Sequence, residues 1–565
     1  MVKKANRKNC FIDIIYLFWI LVFSIIVCWP LLGKELLPGH DAESGFIKVV
    51  SMSRYWGDGQ ILVRWVPDLF FGYGYAMFNF YQPLFSYLAA FLTWIFHHPV
   101  LGLNSACFIV VFLSGVAMYI AVKDWFGHDA ALVSAIAYLF SPYHILELYV
   151  RAAYAELTSF IFFPLILWAL YRLSKTFQRR YFILGIVFLS GLILAHQLSN
   201  FIFFPFMIGY LLFLCGAEPK TYSNQYLFLS LLMIFLAFSI TSFFWVPALL
   251  EKKFVNMDIL VKGQFNYRWH FLYPYQLFKA RWNYGYSCPG PYDGMDFHLG
   301  YAHILLVIIS FVFFIKKYKD SKQVVKFFII FAVMAIIAVF FTLPFSSRIW
   351  ERIPLMHFVQ FPWRYLMIVS FAISVLVGAW AFFKIPYQKY FLAFAIGLIF
   401  LINISYCHPP TSKNIDFQKG FDSGRYNSPL DHVEFISIWT KRVPSKFPKN
   451  KLEVWLGDAV VEREKRISSV KYFFEVHAYK DSILCFHTFY FPGWRVFVDG
   501  KETPIDPDNE SGLIVFKVPS GKHKVIIHFG LSSVRLAGIL ISIASLAFLF
   551  FLIFFKKIWG KRISV

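Results

Sequence analysis

Apolar residues in this chain fall into long unbroken runs rather than into alternation or a single helical stripe. Twelve such runs stand out, at roughly 11–33, 101–122, 130–141, 158–173, 181–199, 201–215, 227–250, 301–315, 326–343, 364–383, 389–406 and 534–555. A helix that is apolar on every side belongs in lipid, and about 20 residues cross the hydrocarbon layer. The shorter runs are expected to extend into their flanks or to cross where the bilayer is thin. The pattern predicts a polytopic α-helical membrane protein of about twelve spans. The first run, Phe11 to Gly33, is too long for a secretory signal and lacks a small-residue cleavage site, so it is expected to stay as a span.

One further run, Gln82 to Phe96, decides the sidedness of everything after it. If it does not cross, the short loops on the side of the N-terminus carry about one Lys or Arg in three residues and the opposite loops about one in eleven. If it crosses, the basic segments 172–180 and 316–326 fall on the wrong side. The run is therefore expected to lie on, or dip into, the outer face. Both termini are then cytoplasmic, and the protein is a multi-pass protein of the cell (inner) membrane.

Two long segments face outward in this arrangement. One is the loop 34–100. The other, 407–533, abandons the apolar pattern for alternation, charge, Pro and Gly. Val454 to Leu456, Val470 to Val476, Ile483 to Phe489, Trp494 to Val498, Leu513 to Val518 and His523 to Phe529 read as strands, with Asp499-Gly500 as a hairpin turn and Pro519-Ser520-Gly521 as a second turn. Short strands at this spacing predict an extracytoplasmic β-sandwich. The expected organisation is a membrane domain over 1–406, the β-sandwich domain over 407–533, and a final span with a basic cytoplasmic tail over 534–565.

Composition agrees: 59% of the 565 residues are hydrophobic, 15% are charged and the mean hydropathy is +0.59. That balance excludes a disordered chain, a coiled coil and a soluble enzyme. The net charge of +22 would raise nucleic acid in a soluble protein; here it is accounted for by orienting loop cations, and no nucleic-acid partner is expected. The seven cysteines show no CxxC spacing, so neither zinc nor redox chemistry is indicated. A divalent metal is compatible with the chain but no ligand cluster calls for one. No P-loop, dinucleotide fingerprint or nucleophile elbow is present.

Acidic residues near the membrane are scarce, so each is informative. Asp41, in Gly39-His40-Asp41-Ala42-Glu43, follows the first span closely; it suits a general base, a cation ligand, or the N-cap of a helix over 42–56. Arg151 and Glu156 share the short outer loop after the third run, as an ion pair or as functional groups. His196 ends the fifth run. Arg364, in Phe361-Pro362-Trp363-Arg364-Tyr365, could hold a phosphate bidentately or anchor an aromatic belt. Arg281 and Trp282, in the loop 251–300, suit sugar stacking and phosphate binding, although an aromatic belt looks the same.

These residues come in a recognisable order. Gly39-His40-Asp41 precedes Arg64-Trp65-Val66-Pro67-Asp68, Gly72-Tyr73-Gly74-Tyr75 and Phe80-Tyr81-Gln82-Pro83-Leu84. Arg151 to Glu156, Ala195-His196-Gln197, Trp245-Val246-Pro247-Ala248-Leu249 with Glu251, and Gln360-Phe361-Pro362-Trp363-Arg364 follow. The order resembles the bacterial and archaeal membrane family labelled 6-pyruvoyl-tetrahydropterin synthase-related, a relative of the YfhO-like proteins. Tyr490-Phe491-Pro492-Gly493-Trp494 with Val498-Asp499-Gly500-Lys501 resembles the YfhO-like C-terminal β-domain.

The resemblance implies a GT-C membrane glycosyltransferase, with a polyprenyl-phosphate-linked sugar as donor and an envelope glycan or lipid as acceptor on the extracytoplasmic face. It implies Asp41 as catalytic base and Glu156 as second acidic residue. Arg364, Arg151, His196, Arg281 and Trp282 are the expected substrate-binding residues. Asp41-x-Glu43 matches the acidic pairs of such enzymes only loosely. A lipid-linked glycan flippase and a non-catalytic envelope scaffold are the alternatives; the charges sit at span ends rather than at the bilayer midplane, which disfavours transport. Oligomeric state is not legible.

Overall fold

In the computed structural model, residues 2–217, 220–317, 322–410 and 433–554 are described. Segment 411–432 of the expected β-domain and the basic tail beyond Phe554 lie outside the described residues.

Every one of the twelve apolar runs contains helix. In chain order the helices are α1 (Val2–Val27), α2 (Ala42–Gly57), α3 (Met77–Phe80), α4 (Leu84–Phe96), α5 (Pro99–Phe126), α6 (His128–Leu139), α7 (Pro142–Tyr149), α8 (Tyr154–Thr176), α9 (Arg179–Ala195), α10 (Gln197–Ala217), α11 (Lys220–Ile240), α12 (Ser242–Leu250), α13 (Tyr301–Lys317), α14 (Lys322–Thr342), α15 (Ser347–Arg352), α16 (Leu366–Gly378), α17 (Gln388–Asn403) and α18 (Ser533–Phe554). Eight stretches among the described residues are long and apolar enough to cross a membrane, and α6 with α7, bent by 40° at their break, make up to nine. This is a multi-pass helical membrane protein. The shortfall against twelve has a physical source. Helix α9 and helix α13 have 17 residues each, below the length of a full crossing. The apolar part of α1 covers only Phe11–Val27.

The bend between α6 and α7 falls at Ser141-Pro142, where proline can begin a helix but cannot continue one. Pro362–Phe382 lies deepest in the bundle, whereas Gln388–Tyr406 and α18 are the least buried of the candidate spans, as helices facing lipid should be. Run 82–96 folds as α4, 13 residues long and too short to span.

Beyond residue 433 the chain forms two antiparallel sheets. β1 (Leu452–Leu456), β4 (Ser482–Phe489) and β7 (Leu513–Val518) form one, in the order β1-β4-β7. β2 (Ala459–Ser468), β3 (Lys471–Ala478), β5 (Trp494–Val498), β6 (Lys501–Thr503) and β8 (Gly521–Phe529) form the other, in the order β2-β3-β8-β5-β6. Strict alternation in β3 turns Tyr472, Phe474, Val476 and Ala478 inward. Across the gap the Phe486 ring meets Tyr472 at 5.0 Å and Phe474 at 6.1 Å. Asp499 and Gly500 both have positive φ and join Val498 to its partner Lys501, as a two-residue hairpin turn demands.

This domain is bound to the loop 34–100. The Phe489 N–H donates to the Tyr73 carbonyl at 2.9 Å, and Lys451 Nζ donates to the carbonyls of Gly72 and His487 at 2.7 and 2.8 Å. A buried charge network adds the last helix. Arg535, wholly buried in the first turn of α18, reaches Glu251 at 3.0 Å and donates to the Pro492 carbonyl at 2.8 Å. Asn79 donates to the same Glu251 carboxylate at 2.7 Å and accepts from Arg64 at 3.0 Å. Two guanidiniums and one carboxylate thus link the first loop, the end of α12, the β-domain and α18.

Candidate functional site

Asp41 sits where α2 begins, between two strips of chain. On one side the backbone N–H groups of His40 and Asp41 donate to the carbonyls of Val150 and Arg151, at 3.0 and 2.8 Å. The approach is close enough to require glycine. A Cβ on Gly39 would stand 2.7 Å from that of Ala152, and one on Gly45 would stand 2.6 Å from the Tyr154 ring. On the other side the loop after Arg281 lies over His40. The imidazole stacks on Tyr286 at 4.2 Å, and its Nε2 lies 3.2 Å from the Tyr284 carbonyl. Burial holds the His40 pKa below its ordinary value, so the ring is neutral at neutral pH and Nε2 carries the proton donated to that carbonyl.

Asp41 occupies the N-cap position of α2, yet its side chain makes no capping hydrogen bond. Its carboxylate is exposed on a pocket lined by Gly45, Lys48, Tyr81, Phe85, Ser86, Ala152, Tyr154 and Ala155. The capping explanation for an acid here is therefore not realised in the geometry. Lys48, two turns on, is nine-tenths buried; it donates to Ser44 Oγ at 2.6 Å and lies 3.8 Å above the Tyr81 ring. Lys48 and Tyr81 also line an adjoining pocket with Ser44, Ile47, Leu69, Tyr75, Met77, Glu434 and Phe435.

Behind Ala152 and Tyr154 lies a second group of charges. Glu156 is buried and accepts from Arg151 Nη1 at 2.8 Å and from the Tyr143 hydroxyl at 3.0 Å. Arg364 Nε lies 3.3 Å from the same carboxylate, an ion pair without hydrogen-bond alignment. The Arg364 Nη1 donates to the Val359 carbonyl and to Gln360. Arg151 also pairs with Glu147, one helical turn earlier, and its guanidinium lies 4.7 Å over Trp363. Two guanidiniums face two carboxylates, so the group is balanced internally. Taking one member out would leave an uncompensated charge in a low-dielectric interior.

The structure thus gathers Arg151, Glu156 and Arg364 into one cluster. His196 is buried, and its Nδ1 lies 2.7 Å from Ser199 Oγ. Asp41 is hydrogen-bonded to this cluster through the backbone of Arg151, and neither Glu156 nor Arg364 is among the residues lining its pocket. Arg281 and Trp282 stand apart. Arg281 is exposed and its backbone N–H donates to Asp296; Trp282 stacks on Tyr406 at 4.7 Å.

Sequence reasoning missed Glu147, Lys48 and the pair Asp296–His298. Glu147 could have been found from its i,i+4 spacing to Arg151. His298 Nδ1 lies 2.8 Å from Asp296, while its Nε2 is buried without a partner among the described residues, beside a cavity also lined by Ser141, Tyr143 and Ser370. No group of three or more His, Cys, Asp or Glu side chains among the described residues is placed to hold a metal ion.

The sequence profile of the 6-pyruvoyl-tetrahydropterin synthase related domain, a membrane-protein family, matches residues 78–408, more than half of the chain. An uncharacterized protein of Lactococcus lactis subsp. cremoris (strain MG1363) is 25% identical over 336 residues, which are 58% of this chain and 53% of that protein. The chain thus spans about half the length of the relative it matches.

Proposed function

We infer that this chain, which belongs to the 6-pyruvoyl-tetrahydropterin synthase related family of membrane proteins, is a GT-C-type glycosyltransferase. In this reading a sugar passes from a polyprenyl phosphate to an envelope glycan or lipid on the extracytoplasmic face. The observation that carries the reading is Asp41. An exposed carboxylate stands at a helix start without capping it, on a pocket walled by Tyr81, Phe85 and Tyr154, with the buried ammonium of Lys48 beside it. Aromatic walls suit a sugar ring, and an uncommitted carboxylate suits removal of a hydroxyl proton.

The proposed step is a single displacement. Asp41 takes the acceptor hydroxyl proton as that oxygen bonds to the anomeric carbon. The bond from that carbon to the phosphate oxygen breaks, its electrons leave with the lipid phosphate, and the anomeric centre inverts. Glu156, Arg151 and Arg364 serve as positioning residues: their balanced charges hold the 150–152 backbone against which His40 and Asp41 hang. The loop that carries Arg281 and Trp282 covers His40. Twelve spans with both termini cytoplasmic complete the reading. α9, α13 and α1 cross as short spans, α6 with α7 as a broken one, and α4 stays on the outer face. The positive-inside count supports this sidedness.

The test is Asp41→Asn, assayed for sugar transfer and by mass spectrometry of envelope glycans. Transfer should fall by about 10²–10⁴-fold with thermal stability unchanged, the usual worth of a general base. Undiminished glycan modification by a well-expressed variant would refute the assignment.

A further inference from the structure

Lys48 is a buried cation in the Asp41 pocket without an ion-pair partner among the described residues. Its residue is nine-tenths buried, yet no carboxylate among the described residues lies within ion-pair distance of it. An ammonium has three N–H donors. One is spent on Ser44, and the Tyr81 ring lies beneath the charge. At least one donor therefore has no acceptor among the described residues. Burying an unpaired cation is expensive, and a group retained at that cost points to an anion that arrives from outside. Lys48 also lies where two pockets meet. One carries Asp41 and the rings of Tyr81, Phe85 and Tyr154; the other carries Ile47, Leu69, Tyr75, Met77 and Phe435. The arginines of the neighbouring cluster offer no substitute, because Arg151 and Arg364 are balanced by Glu147 and Glu156.

We propose that Lys48 binds the phosphate of the substrate, with its ammonium donating to a phosphate oxygen at the junction of the two pockets. The lipid identity of that phosphate rests on the glycosyl-transfer reading; the anion site itself does not. A phosphate held there lies beside Asp41, so the base and the leaving group are served by side chains two turns apart on one helix.

The experiment uses the full chain in nanodiscs with three probes: undecaprenyl phosphate, uncharged undecaprenol and inorganic phosphate. Wild type should bind the lipid phosphate at least about tenfold more tightly than the alcohol, and Lys48→Met should remove that difference while Lys48→Arg keeps most of it. Thermal stability of Lys48→Met should hold or rise, since an unpaired buried charge has been removed; a merely structural lysine would lower it. Competition by inorganic phosphate identifies a site for free phosphate, and Lys48-dependent lipid binding without such competition identifies a headgroup site. Wild-type-like discrimination in a folded Lys48→Met, or an equal loss for the alcohol, overturns the proposal. If Lys48→Met fails to fold, Lys48→Gln is read in its place by the same criteria. Lys48-dependent binding combined with full activity of Asp41→Asn would sink the catalytic reading and leave this one standing.

Discussion

Two buried charge clusters among the described residues differ in what they neutralise. The Glu147–Arg151–Glu156–Arg364 cluster sets two cations against two anions. The Arg64–Glu251–Arg535 cluster sets two cations against one anion and fills the remaining positions with Asn79 and backbone carbonyls. The first is built from three segments of the helical bundle and fixes the strip that Asp41 hangs from. The second is built from the first loop, the end of α12 and the start of α18, and fixes the β-domain. Buried ion pairs are poor sources of net stability, but they are unforgiving of the loss of one partner. Their use here is positional: one locates a pocket and the other locates a domain.

Substitutions can break that contrast. The largest effect should come from Arg535→Met, which leaves Glu251 without its nearest cation and frees the Pro492 carbonyl. A loss of about 3–5 kcal/mol is expected, read as a fall in unfolding temperature and faster proteolysis between 433 and 533. Next come the two acids of the balanced cluster. Glu156 answers Arg151, Arg364 and Tyr143, whereas Glu147 answers Arg151 and leaves one oxygen without a hydrogen-bond partner among the described residues. Glu156→Gln should therefore cost about 2–4 kcal/mol and Glu147→Gln about 1 kcal/mol. Equal losses would show that the cluster is not organised around Glu156.

A smaller effect sharpens the account of the β-domain interface. Burial pushes the Lys451 pKa down to about 7 from 10.5. Between those values the unfolded chain holds a proton that the folded chain has shed, so stability should rise with pH across that window. Thermal unfolding from pH 7 to 9 should show this rise in wild type, and Lys451→Met should flatten it. The smallest effect is at Asp41. Since its side chain makes no capping bond, Asp41→Asn should change stability by less than about 0.5 kcal/mol. A clear loss would return Asp41 to a structural role.

Much of this architecture was legible because lipid imposes a simple rule on sequence. Runs such as 101–122 and 364–383 had to be helices, and the Lys and Arg count of the loops forecast that 82–96 does not cross. The sheets were legible where one face is buried, as in β3 and β4. They were not where the strand is charged throughout: β2 was missed because Glu462 to Arg466 show no apolar alternation in an edge strand with little burial. At the site, Asp41, Arg151, Glu156 and Arg364 were each visible as charges at span ends. Their pairing was not, because Arg364 reaches Glu156 across more than 200 residues of chain, and local spacing carries no information at that range. Lys48 was invisible for another reason. An i,i+4 lysine on a helix reads as a solvated charge, and only the burial of α2 under Tyr81 makes it unusual.

The Glu251 network also bears on how the chain is made. Glu251 and its cation Arg535 are separated by 284 positions. At about 5–20 residues per second, a ribosome takes roughly 15–60 s to bridge that interval. Through most of it the carboxylate is outside the tunnel while the Arg535 guanidinium has not yet been synthesised. The β-domain, whose Pro492 carbonyl Arg535 also engages, is completed before that partner as well. Emergence of α18 therefore completes the network: until then Glu251 has only Arg64, relayed through Asn79, as its cation, and the β-domain lacks its Arg535 contact.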